Sequence, residues 1–355
     1  MAIGWRVGCV VLGTALVMYT LLSAVRTFVL PRSANEPLTR IVFRGLRALF
    51  LLPASKARSY EARDHIMALY APISLLVLPG VWLVLVLLGY SAIYAGLGFT
   101  PWLGAFRLSG SSLFTLGYVI PEGLPQTVAA FSEATIGLGL IALLIAYLPT
   151  MYAAFSRRET AVTMLEVRAG SPPSAITLLE RFHRLQRLDQ LGELWRSWEV
   201  WFTEVEETHT SLTALVFFRS PQGHRSWITA AGAVLDAASL TAAIVDLPRD
   251  PSADLCIRAG YLALRHVADF FRIPYDPDPA PDGPISISRG EFDSACDTLA
   301  GAGLRLKPDR EQGWRDYRGW RVNYDTVLLA LARLTMAPYA PWSSDRSLLP
   351  RSKRA

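Results

Sequence analysis

Between His65 and Phe106 the chain runs for 42 residues without a lysine, arginine, aspartate or glutamate. A helix of about 20 mostly apolar residues crosses roughly 30 Å of hydrocarbon. The stretch is therefore twice what one crossing needs. Its apolar part, Ala71 to Ala95 (APISLLVLPGVWLVLVLLGYSAIYA), predicts a single spanning helix, and the Gly- and Pro-punctuated residues 96–106 must run elsewhere. Val7 to Val25 (19 uncharged residues) and Ala134 to Phe155, which closes on Arg157 and Arg158, predict two more spans. Pro72, Pro79 and Pro149 are tolerable in such helices. With 52% hydrophobic and 18% charged residues and a mean hydropathy of +0.28, the composition is wrong for an ordinary soluble chain.

The net charge of +5 belongs wholly to the first half, because residues 156–355 carry 25 basic and 25 acidic side chains. Seven basic residues, Arg32, Arg40, Arg44, Arg47, Lys56, Arg58 and Arg63, lie in residues 31–69, against Arg107 alone between the second and third spans. The positive-inside rule puts the basic segment in the cytoplasm. The N-terminus and residues 96–130 are then outside, and everything after Phe155 is cytoplasmic. A multi-pass protein of the cell's inner (plasma) membrane is expected, with the bilayer as a partner. The first segment also reads as a cleavable signal, but its basic flank is Arg6 alone. Arg40, Arg44 and Arg47 among the aliphatics of residues 38–53 fit an amphipathic helix on the inner leaflet, or else a solvated charged face. No basic stripe with interleaved aromatics is present, so nucleic acid is not an expected partner. Cys9, Cys256 and Cys296 show no paired spacing, which argues against a disulfide framework and against a cysteine metal site.

Residues 96–130 are too apolar for an external loop. Irregular chain at membrane depth survives only when buried in protein or lining a water-filled cavity, so a re-entrant segment is predicted. It reads PWLGAFRLSGSSLFTLGYVIPEG (101–123) and contains Thr115-Leu116-Gly117-Tyr118. In this it resembles the pore-loop potassium-channel family with two core helices per subunit, whose filter reads Thr-x-Gly-Tyr-Gly. The resemblance implies a filter at Thr115, Leu116, Gly117, Tyr118 and Val119, whose backbone carbonyls replace the hydration shell of a permeant cation, and a pore helix over about Pro101 to Phe114. It also implies a gating hinge at Gly137 and Gly139, with Pro149 bending the cytoplasmic end; close small-residue helix packing is the other reading of the two glycines. Four subunits would be needed to enclose an axis, hence a homotetramer.

Two departures stand out. Val119 replaces the fifth filter glycine, and Ile120 replaces the acidic residue that usually follows. A β-branched residue resists positive φ, so the outermost ion site cannot form in the usual way. The pore either keeps its inner sites with reduced selectivity or no longer conducts. Glu122 reads as a ring of negative charge at the outer mouth or as a solvated loop carboxylate. Glu133 reads as a carboxylate at the start of the inner helix, favourable there on dipole grounds.

The second half predicts a helical domain. A long helix is expected from Ser174 to about Phe218, with apolar residues Leu178, Phe182, Leu185, Leu188, Leu191, Trp195, Trp198, Phe202 and Val205 at threes and fours. This helix would join subunits as a coiled coil or pack into its own domain. Further helices are expected at 226–246, 254–272, 289–301 and 319–337, with a solvated Pro/Asp spacer over 273–288. The segment WRDYRGWRVNYD (314–325) offers Arg315, Arg318 and Arg321 among aromatics, as an anion site or as aromatic-capped surface arginines. The basic tail 346–355 is expected to be disordered and to touch the inner leaflet. His183, His209, His224 and His266 lack metal-ligand spacing. No nucleotide loop and no catalytic constellation is visible, so an enzyme is not expected, nor any cofactor beyond a permeant potassium or other monovalent cation.

The expected architecture is thus an all-α membrane protein: an N-terminal spanning helix (1–30), a basic cytoplasmic loop (31–69), a pore domain with a re-entrant loop (70–155) and a cytoplasmic helical domain (156–355). The expected function is a homotetrameric, potassium-channel-like cation channel gated through its inner helix by an unknown cytoplasmic regulator. The alternative is a non-conducting, membrane-anchored sensor or scaffold built on a channel-derived anchor.

Overall fold

The computed structural model describes residues 3–28 and 36–347. Every regular element among them is helical, and an isolated bridge pairs Val245 with Leu306. The chain divides into two compact units: Met1–Ala57 with Ile66–Ala153, and Arg58–His65 with Ala154–Ala355. The expected boundary between first helix and basic loop, Arg32, and most of the basic tail lie outside the described residues.

The first unit is built from α1 (Ile3–Phe28), α2 (Pro37–Lys56), the last residues of α3 (Tyr60–Ala68), α4 (Tyr70–Gly96), α5 (Trp102–Leu113) and the first part of α6 (Leu124–Ala169). Three stretches, Ile3–Phe28, Tyr60–Gly96 and Leu124–Ala169, are long and apolar enough to cross a membrane. Helices in hydrocarbon gain nothing by hiding apolar surface from lipid, so they associate through close packing and hydrogen bonds. α1 and α4 do this antiparallel. A Cβ on Gly13 would stand 2.4 Å from the Gly89 carbonyl, and one on Gly96 would stand 2.6 Å from that of Arg6. Arg6 Nε donates to Gly96 O (2.9 Å) at one end, and Trp82 Nε1 donates to Ser23 Oγ (3.3 Å) towards the other. The predicted amphipathic helix forms as α2. Leu38, Val42 and Phe43 pack onto the unit's core and Tyr70 Oη donates to Phe43 O (3.1 Å), while Ile41, Arg44, Leu49 and Leu52 are exposed.

α6 is far longer than the predicted third span. It buries Glu133, Gly137, Leu140, Tyr147 and Met151 on one face and exposes Leu124, Val128, Phe131, Leu138, Ile145 and Tyr152 on the other. The spacing of threes and fours is that of a helix packed on one side.

The second unit holds the rest of α6, α7 (Ala175–Arg184), α8 (Leu191–Ser211), α9 (Trp227–Ala243), α10 (Pro251–Phe271), α11 (Arg289–Gly301), α12 (Arg310–Arg321), α13 (Asp325–Thr335) and the short α14 (Ser344–Ser347). The expected single helix from Ser174 to Phe218 is instead α7 and α8 with a corner between them. Gln186 takes φ +55°, and Arg187 N donates back to Phe182 O (2.9 Å), the closure that ends a helix through a left-handed residue. The corner lets Leu178 and Leu179 of α7 enter the same core as Trp195, Trp198 and Phe202 of α8. Most of the apolar stripe is therefore consumed inside the unit, while Leu185 stays exposed at the corner.

Two more expectations are corrected. The single helix 319–337 is α12 followed by α13, which turn about Val322–Tyr324. The spacer 273–288 is not simply solvated. Ile287 is buried, and Ser286 donates from N (2.9 Å) and Oγ (2.6 Å) to Asp325. Neither reading of Arg321 as a surface or anion-binding arginine holds, because it is fully buried. Its Nη1 bonds Asp236 Oδ1 and Oδ2 (2.6 and 2.7 Å), its Nε bonds Asp325 (2.7 Å) and its Nη2 bonds Trp342 O (2.7 Å). Burial alone would lower its pKa, but the two carboxylates more than offset that and raise it well above the usual guanidinium value. Asp236, on the otherwise apolar α9, is there to be paired.

Candidate functional site

The uncharged segment after α4 turns at Gly98 (φ +98°) and enters α5 at Pro101, whose ring suits a helix start. α5 is held from two sides. Ser109 Oγ lies 2.9 Å from Leu87 O on α4, and Ala105, Leu108 and Leu113 are buried in the unit's core. On the other side Gly137 of α6 lies so close that a Cβ there would be 2.4 Å from Leu113 O. Gly137 is thus a packing glycine within the chain. Gly139 has nothing within 4 Å of its would-be Cβ, and Pro149 lies inside α6 on its exposed side.

α5 ends without glycine. Thr115 itself takes the left-handed conformation (φ +53°), which is uncommon for a β-branched residue, and its hydroxyl donates to Phe114 O (2.7 Å). Leu116 N and Gly117 N then donate to Ser111 O (2.8 and 3.4 Å), and Val119 N donates to Ser111 Oγ (3.1 Å). Gly117 has φ +69°, whereas Val119 keeps a φ outside the left-handed region. In a trans peptide the C=O points opposite to the N–H. With the amides of 116, 117 and 119 turned onto Ser111, the carbonyls of Thr115, Leu116 and Tyr118 point away from α5. Leu116 and Tyr118 are 63% and 62% exposed in the protomer, and Tyr118 Oη reaches Arg107 O (3.4 Å) on α5. Glu122 is exposed beyond the segment, with its amide donating to Gln126 Oε1 (3.0 Å).

The residue that sequence reasoning misjudged is Glu133. α6 begins at Leu124, so Glu133 lies more than two turns inside the helix, beyond reach of its N-terminal dipole. It is 0% exposed, and its carboxyl meets Tyr94 Oη of α4 (2.8 Å) and Ser109 Oγ of α5 (2.5 Å). A signal was present: Glu133 is the one acidic residue between Glu122 and Glu159, in an otherwise apolar run. An ionisable side chain inside such a run marks a site.

The second unit carries two features of its own. Arg158 is buried, with Nη1 on His209 Nε2 (3.1 Å) and Leu215 O (2.8 Å), Nη2 on Phe218 O (2.7 Å) and Glu159 alongside. Burial, and then the Arg158 charge, push the His209 pKa well below its usual value. A cavity of about 1010 Å³ opens among Trp195, Tyr261, Trp320, Lys307, Arg315 and Asp254. Comparisons of the chain with protein-family models, with curated proteins and with solved structures find no match.

Proposed function

We propose that the chain is one subunit of a homotetrameric cation channel, potassium-channel-like, in the inner (plasma) membrane of the cell. The observation that carries the proposal is the turning of the amides of residues 116, 117 and 119 onto Ser111, which aims the carbonyls of Thr115, Leu116 and Tyr118 away from α5. Such carbonyls are what a dehydrated monovalent cation requires. In this reading α5 is a re-entrant pore helix, the N-terminus and residues 97–123 are outside, and residues 29–69 and everything after α6 leaves the bilayer are cytoplasmic. One filter strand per chain makes a fourfold assembly necessary. The exposed face of α6, from Leu124 to Tyr152, then meets neighbouring subunits and the pore. Gly139, with open space around it, and Pro149 are the points at which α6 bends, while Gly137 anchors α5. The innermost oxygens come from the Thr115 carbonyl and from its hydroxyl, which donates its proton to Phe114 O and keeps its lone pairs for the ion. Glu122 supplies negative charge at the outer mouth. No cofactor is required beyond the permeant ion, and the chain is not an enzyme.

Val119 decides selectivity. Substituting Val119→Gly supplies the freedom in φ that the outermost site lacks. The variant is expected to raise the potassium-to-sodium permeability ratio in liposomes; an unchanged ratio in a conducting protein would show that residues 115–119 do not line the pore. The second reading, a non-conducting membrane-anchored sensor or scaffold, is favoured by the 1010 Å³ cavity in the helical unit. That cavity has the size of a small-molecule site, lined by charged residues with Trp195, Tyr261 and Trp320 among them, and in the channel reading it is the seat of the regulator.

A further inference from the structure

We infer that Glu133 is the positioning residue of the candidate filter, acting through α5 without touching the ion. The inference rests on the pore-loop reading above. Its geometry is a relay of short contacts through buried groups. Tyr94 of α4, Ser109 of α5 and Glu133 of α6 are each 0% exposed, and the carboxyl joins the two hydroxyls at 2.8 and 2.5 Å. Ser109 also reaches Leu87 O at 2.9 Å, so all three helices of the pore domain meet at this one point. Two residues along α5 lies Ser111, 1% exposed, whose carbonyl and hydroxyl hold the amides of Leu116, Gly117 and Val119. Whatever fixes α5 therefore fixes the direction of the filter carbonyls. Val119 has no glycine's freedom with which to hold itself, and depends on Ser111 Oγ for its amide bond.

The chemistry required of residue 133 is specific. A serine hydroxyl has one proton, yet Ser109 has two acceptors in reach, Leu87 O and the Glu133 carboxyl. A carboxamide at 133 accepts from Tyr94 and donates to Ser109, which frees the serine proton for Leu87 O. The tie is thus a matter of shape and hydrogen bonding, and Glu133→Gln keeps it. Glu133→Ala removes the carboxyl acceptor of the Tyr94 hydroxyl, leaves Ser109 with Leu87 O, and takes away the hydrogen-bonded tie between α5 and α6. A role for Glu133 as a charge at the ion path predicts the reverse for Gln, which would fail as Ala does.

The test is amide hydrogen exchange of full-length protein in detergent, read over residues 111–119 with α10 as an internal control, followed by potassium and sodium permeability in liposomes. Glu133→Ala is expected to speed exchange in 111–119 roughly tenfold, with α10 unchanged, and to lower the potassium-to-sodium ratio. Glu133→Gln is expected to match the wild type in both. Exchange over 111–119 that is unchanged in a folded Glu133→Ala protein overturns the inference, as does a Gln variant that behaves like Ala. If Glu133→Ala does not fold, Ser109→Ala and Tyr94→Phe each remove one hydroxyl of the relay; faster exchange in 111–119 supports the inference and unchanged exchange in both overturns it. A wild-type protein that passes no cation defeats the pore-loop reading, while the exchange result still decides whether Glu133 positions α5.

Discussion

At the scale of single residues, the polar groups that matter are those the fold has buried, and their partners come from distant sequence. The tetrapeptide 115–118 can be read as a motif in the sequence because its residues are adjacent. Sequence reasoning misjudged Glu133 because the partners Tyr94 and Ser109 lie 39 and 24 residues away, and it misread Arg321 because the match with Asp236 spans 85 residues. His209 lacks metal-ligand spacing in the sequence, which says nothing of its titration. Its folded pKa lies well below the usual 6.5, through burial and then Arg158. The sign follows from proton binding. Below pH 6.5 the unfolded chain takes up a proton that the folded one refuses, so stability falls as pH falls, by up to about 1.4 kcal/mol per pH unit. Denaturant unfolding followed by tryptophan emission, compared at pH 7.5 and pH 5.5, is expected to show this loss in the wild type and a smaller one in His209→Gln. Equal losses would mean that His209 already carries its proton in the fold.

At the scale of elements, the helices were legible wherever hydrophobic period and length agreed, as in α1, α2, α4 and α11, while α5 followed from the pore-loop resemblance. Misreadings came where a helix turns a corner without proline or glycine. Gln186 breaks the α7–α8 pattern because the common core requires both stripes to face inward, a tertiary demand that local propensity does not announce. The extension of α6 to Leu124 went unread for a related reason, since the charge at Glu133 looked like an end and is a buried contact. The paired glycines can now be told apart. Gly137→Ala drives a methyl group against Leu113 O, at a cost of about 1–3 kcal/mol by the usual measure of overpacking. Gly139→Ala meets nothing within the protomer. Thermal unfolding in detergent is expected to drop for Gly137→Ala alone, whereas Gly139→Ala leaves the stability of the chain unchanged and, in the channel reading, alters gating. An equal drop in both would place Gly139 in a packed interface.

At the scale of the whole molecule, three apolar helices were visible from the distribution of charge, because a bilayer imposes its thickness on the sequence directly. The helical second unit was legible as a class, though its internal wiring was not: the Arg321 network and the 1010 Å³ cavity are assembled from α8 to α13 and from the loops between them. In the channel reading, assembly of four chains follows from the need to surround an ion with carbonyls from more than one strand, and the expected outer placement of residues 115–119 follows from the positive-inside rule. The most direct test is cation flux through purified full-length protein in liposomes loaded with potassium. The channel account predicts potassium efflux that depends on the protein, with a tetramer as the conducting species. A folded tetramer that passes neither potassium nor sodium would contradict it.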